Sequence, residues 1–262
     1  LLSAVKQLPE GANELVAELR QAAGLAEEQQ QQRVRAKESG LSFADQVRIF
    51  QIEYPAGFGD DRWLSTIRGS GLSQRAKRHR QPAIDDAHSL LSEEKLAHAV
   101  AAGSSGEVVE AITALLGRTN LVRPKDVDVL KRLPPDRHDA YVRTLRDLVF
   151  SEQARPHRFE QLAAALGGDG DWQLLTAPPA LAQPQSWVCV HPAVLRRQAS
   201  VLEPSLIVPA KPDGWVYHRL LGLVGRVRDL LANASTPPAD LMDVFDFISV
   251  TLRPSARKLL SG

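Results

Sequence analysis

The chain has 262 residues, of which 44% are hydrophobic and 24% charged, and its 32 Lys and Arg against 31 Asp and Glu leave a formal net charge of +1. That composition is close to the globular average, and the near-neutral balance does not by its bulk demand a nucleic-acid partner. One cysteine, Cys189, excludes an internal disulfide and a multi-cysteine zinc site, and the low aromatic content of 5% favours packed helices over a β-sandwich.

In chain order, residues 11–38 read as one helix. Leu15, Leu19 and Ala22 form a short apolar stripe, which gives way to the polar run Glu27-Glu28-Gln29-Gln30-Gln31-Gln32-Arg33. Such a run buries nothing, so residues 1–40 are expected to be a polar helical connector from an upstream part, Leu1 not being a start methionine. Residues 41–262 are then the main helical domain. Ser42 is placed to cap a helix carrying Phe43, Val47 and Phe50, which Tyr54-Pro55-Ala56-Gly57-Phe58-Gly59 ends. Ser92 before Glu93 and Glu94 marks another start, because acids suit the positive end of the helix dipole. Ser105 opens a segment closed by Gly117, and Pro124 sits where a first-turn proline belongs. Leu145, Leu148 and Val149 line one later helix, and Phe159, Leu162 and Leu166 the next. Around 170–210 the pattern changes. Trp172–Thr176 and Trp187–His191 are short, apolar and bounded by Pro178, Pro179, Pro184 and Pro192, and Ser205–Val208 is similar. They read as strands, so the expected fold is mainly α, a multi-helix domain with a small β-hairpin-like insertion around 170–210. Helices resume at about 214–232 and 239–251.

Catalytic and cofactor motifs fail one by one. Gly69-Ser70-Gly71 lacks the third glycine of a dinucleotide loop, Gln74 standing in its place, and reads as a helix-capping turn. Asp169-Gly170-Asp171 lacks the oxygen ladder of a calcium loop and reads as a turn. Ser92-Glu93-Glu94-Lys95 and Ser255-Ala256-Arg257-Lys258 match Ser-x-x-Lys without its companion motifs. No two of the seven histidines stand three or four apart, as ligands on one helix face would. His191 lies two residues after Cys189, a spacing that gives no nucleophile–base pair by default, so a core or interface histidine is the preferred reading. No catalytic residue, metal ligand or cofactor is expected. No apolar run approaches the roughly 20 residues of a membrane span, and no signal-peptide core opens the chain, so a cytoplasmic location without membrane contact is expected.

The residual signal is basic. Arg62, Arg68, Arg75, Lys77, Arg78, His79 and Arg80 fall in a stretch without acids, bracketed by Asp60-Asp61 and Asp85-Asp86. Arg75 and Arg78 lie about 60° apart on a helix, as do Lys77 and Arg80. Arg68, Arg75, Lys77, Arg78 and Arg80 are therefore the expected nucleic-acid contacts, made to phosphates on DNA or RNA. A solvated face answered by Asp85 and Asp86 is the competing reading.

Four phrases taken in order carry a resemblance: Tyr54-Pro55-Ala56-Gly57-Phe58, then Thr119-Asn120-Leu121, then Thr176 leading to Pro178, Pro184 and His191-Pro192, and last Asp243 with Phe247-Ile248. The set resembles a group of bacterial proteins of unknown function with Tyr/Phe-Pro-x-Gly-Phe, Thr-Asn-Leu and Ser-Phe-Ile phrases, this chain having Asp246 where that group has Ser. The resemblance covers roughly residues 42–250, implies no activity, and implies that the body from about 42 to the end is one unit. The expected function is a non-enzymatic nucleic-acid-binding module of a larger bacterial protein. The alternatives are a protein-interaction or oligomerisation module using the N-terminal helix and Trp187–Val190, with a protein partner, and an enzyme whose site is assembled from scattered residues.

Overall fold

The computed structural model describes residues 40–69, 78–151 and 155–260. The expected connector at 1–40 lies almost wholly outside the described residues. Twelve α-helices occur among those residues, and no β-strand.

The first helix, α1 (Phe43–Glu53), begins with a reciprocal cap. The Ser42 hydroxyl accepts the Asp45 N–H at 3.1 Å, and the Asp45 carboxylate accepts the Ser42 N–H at 2.9 Å. Two of the four N–H groups that a helix start leaves unpaired are thereby satisfied. A short turn, α2 (Asp61–Trp63), runs on as a π-helical segment to Arg68, where Gly69 stops it at φ 84°. Only glycine fits there, because a Cβ would stand 2.3 Å from that of His79.

Helices α3 (Arg80–Leu90), α4 (Glu93–Ala102), α5 (Ser105–Gly117), α6 (Pro124–Lys131) and α7 (Pro135–Phe150) follow with short joints. The Ser92 hydroxyl caps α4 by accepting the Lys95 N–H at 3.2 Å, and Pro124 and Pro135 stand in the first turns of α6 and α7. A first-turn proline costs no hydrogen bond, since its missing N–H had no partner to lose.

Then come α8 (Arg155–Ala165), α9 (Trp172–Ala182), α10 (Pro192–Leu202), α11 (Gly214–Asn233) and α12 (Leu241–Thr251). Helix α9 corrects the expected hairpin. Trp172–Thr176 is helical, Pro178 and Pro179 lie inside the helix, and 187–191 and 205–208 are irregular chain that forms no ladder. An apolar run buried on every side has no periodicity with which to announce helix or strand. The local decision falls to the N-cap, where the Asp171 carboxylate accepts the Leu174 N–H at 2.8 Å. Interior prolines oppose a helix by roughly 3 kcal/mol each, and burial outweighs them. Every residue of α9 except Gln173 is buried, at about 1.5–3 kcal/mol for each large apolar side chain.

Helix α9 packs against α3, α5, α7 and α8, and α12 against α1, α10 and α11, so these two are the central helices. Trp63, Phe50, Tyr54, Phe58 and Phe247 form one aromatic group around α1 and α12, and Phe159, Trp172, Trp187 and Tyr217 another around α8 and α9. Trp187–Val190, expected as an interaction surface, is fully buried within the second group's surroundings. No helix among the described residues is long and apolar enough to cross a membrane.

Candidate functional site

The basic residues part company in the fold. Arg68 turns inward at the end of the π-helical segment: its Nη2 lies 2.6 Å from Asp240 Oδ2, its Nη1 3.4 Å from Asp243 Oδ1, and its Nε donates to Gln81. Arg80, in the first turn of α3, makes a two-pronged bond to Asp246, with Nε and Nη2 each 2.8 Å from a carboxylate oxygen. Both guanidinium groups are nearly out of water, at 12% and 11% side-chain exposure. Phosphate contact by Arg68 or Arg80 would require breaking a desolvated ion pair, which typically costs 3–5 kcal/mol. Two of the five expected nucleic-acid contacts, Arg68 and Arg80, thus stand in internal ion pairs. Arg78 is exposed, and Arg75 and Lys77 lie outside the described residues.

What draws the arginines in is α12. Asp240, Asp243 and Asp246 are spaced by three, which on a helix keeps them to one side. All three are buried. Asp240 caps α12 by accepting the Met242 and Asp243 N–H groups, and Asp243 accepts the Trp63 Nε1–H and the Ala239 N–H. Burial nevertheless pushes the Asp243 carboxyl up to about 6, with Arg68 pulling the other way.

The Arg80–Asp246 pair reaches further. Nη1 of Arg80 donates to Asn120 Oδ1 at 2.7 Å, fixing the Asn120 amide so that its NH2 is left to donate elsewhere. Asn120 lines a cavity of about 1230 Å³ bounded by α5 and α6. On α5 the cavity wall is Glu110, Thr113, Ala114 and Gly117, one helix face that ends in two small residues. A Cβ built on Gly117 would meet nothing within 4 Å. Opposite stand the apolar side chains of Val122, Val127, Leu130 and Leu133, and the prolines 124, 134 and 135 hold the backbone around the opening.

The cavity is also lined by Arg123, Gln173 and His191. Gln173 Nε2 lies 3.2 Å from His191 Nδ1, and the ring sits 5.1 Å from that of Phe245. Burial, and then the charge of Arg80, pushes His191 down to about 4, so the ring is neutral at neutral pH. Its Nε2 is buried without a completed hydrogen bond, although the Leu121 carbonyl is close enough to favour a proton on the ring. Cys189 cannot serve as a nucleophile beside it, because burial pushes the thiol up to about 12. Among the described residues no three His, Cys, Asp or Glu side chains gather as a metal site would require.

The sequence pointed to parts of this site without assembling them. Thr119-Asn120-Leu121 and His191-Pro192 stood out as phrases, while Arg123 and Gln173 gave no signal as functional residues. Gln173 could have been noticed as the polar exception in an otherwise apolar run. No protein-family model, no curated protein and no solved structure matches the chain.

Proposed function

We propose that the domain binds a small molecule with a largely apolar body in the cavity between α5 and α6. The observation that carries this reading is a cavity of about 1230 Å³ whose apolar walls end on Asn120, Gln173 and His191. Concave, mainly apolar sites with a few convergent polar groups are the usual form of a ligand pocket. The polar groups are held in place from behind, Asn120 by the buried Arg80–Asp246 pair and His191 by Gln173. Such preorganisation lowers the entropy lost on binding. Glu110, Lys131, Arg132 and His138 also line the cavity, and beside them the neutral His191 imidazole, the two amides and the Arg123 guanidinium are groups that recognise. A nucleic-acid role would have to rest on cations other than Arg68 and Arg80, both committed to α12.

Titration with the neutral apolar dye Nile red tests the reading, comparing the native chain with Ala114→Trp. Ala114 is exposed on the cavity wall, so the indole fills the cavity without displacing core atoms. The native chain should give a saturable single-site rise in fluorescence. The variant should bind at least tenfold more weakly with an unchanged thermal midpoint. Equal binding by both proteins, or none by the native chain, would sink the proposal.

A further inference from the structure

Building on that reading, we infer that the ligand carries an anionic head, a carboxylate or a group like it, received by Arg196 on the far side of Gln173 and His191. A second cavity of about 360 Å³ lies there, and it shares Arg123, Gln173 and His191 with the larger one. The two spaces adjoin, with the same three side chains between them. A ligand with its body between α5 and α6 would present its head to the smaller one.

The charges in the smaller cavity decide what that head is. Arg196 projects from α10, half-buried, and its Nε donates to the Val208 carbonyl at 2.7 Å, which anchors the guanidinium. It forms no ion pair among the described residues. By contrast Arg68 and Arg80, which are withdrawn further from water, hold two carboxylates and one respectively. A guanidinium partly withdrawn from water without a counter-charge is costly, and a bound anion removes that cost. The acid that shares the cavity is already committed. Asp171 accepts the Leu174 N–H through Oδ1, and its Oδ2 lies 2.9 Å from Nη2 of Arg123. Arg123 in turn binds Asp126 through Nε. His191 and Gln173 add no charge at neutral pH, so the uncommitted charge in this space is the positive one of Arg196. A planar guanidinium matches a carboxylate with two parallel hydrogen bonds, a geometry that an ammonium cannot copy.

Calorimetric titration at low salt with decanoate and with 1-decanol tests this, using the native chain, Arg196→Gln and Arg196→Lys. The native chain should bind decanoate at least tenfold more tightly than the alcohol. Arg196→Gln should bring the acid down to the affinity of the alcohol and leave the alcohol unchanged. Arg196→Lys keeps the charge and loses the fork, and should cut the preference at least threefold without abolishing it, which also answers the case in which the glutamine variant does not fold. Equal binding of both probes by the native chain overturns the anionic head and leaves the cavity reading intact. A preference that survives unchanged in either variant overturns the role of Arg196. If neither probe binds, and Nile red does not either, the cavity reading falls and takes this inference with it.

Discussion

Burial displaces Asp243 upward and His191 downward, each toward its neutral form, and their effects on stability nearly cancel. Asp243 is held at about 6, above its ordinary 3.8, so the folded chain takes up a proton there before the unfolded chain does. That contribution is fully present below the unfolded value and is lost as the pH rises through about 6. His191 is held at about 4, below its ordinary 6.5, so the unfolded chain is protonated first. Its contribution is present above 6.5 and is lost as the pH falls through about 4. Each displacement is worth on the order of 3 kcal/mol. Between pH 6 and pH 4 the gain from one offsets the loss from the other. Asp243→Asn should therefore lose stability on acidification through this window more steeply than the native chain, and His191→Gln less steeply. Urea denaturation at half-unit steps of pH reads both slopes. Parallel curves for the three proteins would show that neither group is displaced as described.

The seam between α8 and α11 depends on one glycine. Gly214, the first residue of α11, brings its backbone against α8, where a Cβ would come within 2.2 Å of the Pro156 carbonyl oxygen. Its N–H donates to Glu160 Oε1 at 2.6 Å, so the approach is fixed from both sides. Gly214→Ala must push backbone away from backbone, and overpacking of this kind typically costs about 1–3 kcal/mol. The expected result is a lower thermal midpoint with helical content intact, measured by circular dichroism. No change in midpoint would mean that the two helices part without cost. The aromatic group that those helices enclose, Phe159 with Tyr217, makes that outcome the unexpected one.

The buried apolar side chains form one continuous cluster from Phe50 to Leu252. Helix α9 touches four helices of the middle of the chain, and α12 ties α1 to α10 and α11, so no described part has a core of its own to fall back on. Unfolding should be a single cooperative step. Far-ultraviolet dichroism, which reports helices throughout, and tryptophan fluorescence, whose buried reporters are Trp63, Trp172 and Trp187 while Trp215 is exposed, should share one urea midpoint. Two separated transitions would divide the core and place the cavity in one half only.

Local chemistry was legible from the sequence because its causes lie within a few residues. Ser42, Ser92 and Pro124 start their helices by satisfying or sparing N–H groups one turn away, and the helices near 214–232 and 239–251 follow from apolar spacing along one stretch of chain. The state of Trp172–Ala182 was not legible, since a segment buried on all sides has no wet face to set its period, and the packing around it chose helix. The surroundings of Arg68 and Arg80 were not legible for a related reason. A run of arginines reads as a surface until the acids that neutralise them are known, and Asp246 stands 166 residues beyond Arg80 in the chain. The cavity is more remote still from sequence, because it arises where small side chains on α5 face the prolines and aliphatic side chains around α6. Capping and periodicity are near-neighbour effects and were written in the chain. The placing of charge, and of empty space, depends on which distant surfaces meet, and only the packed helices decided it.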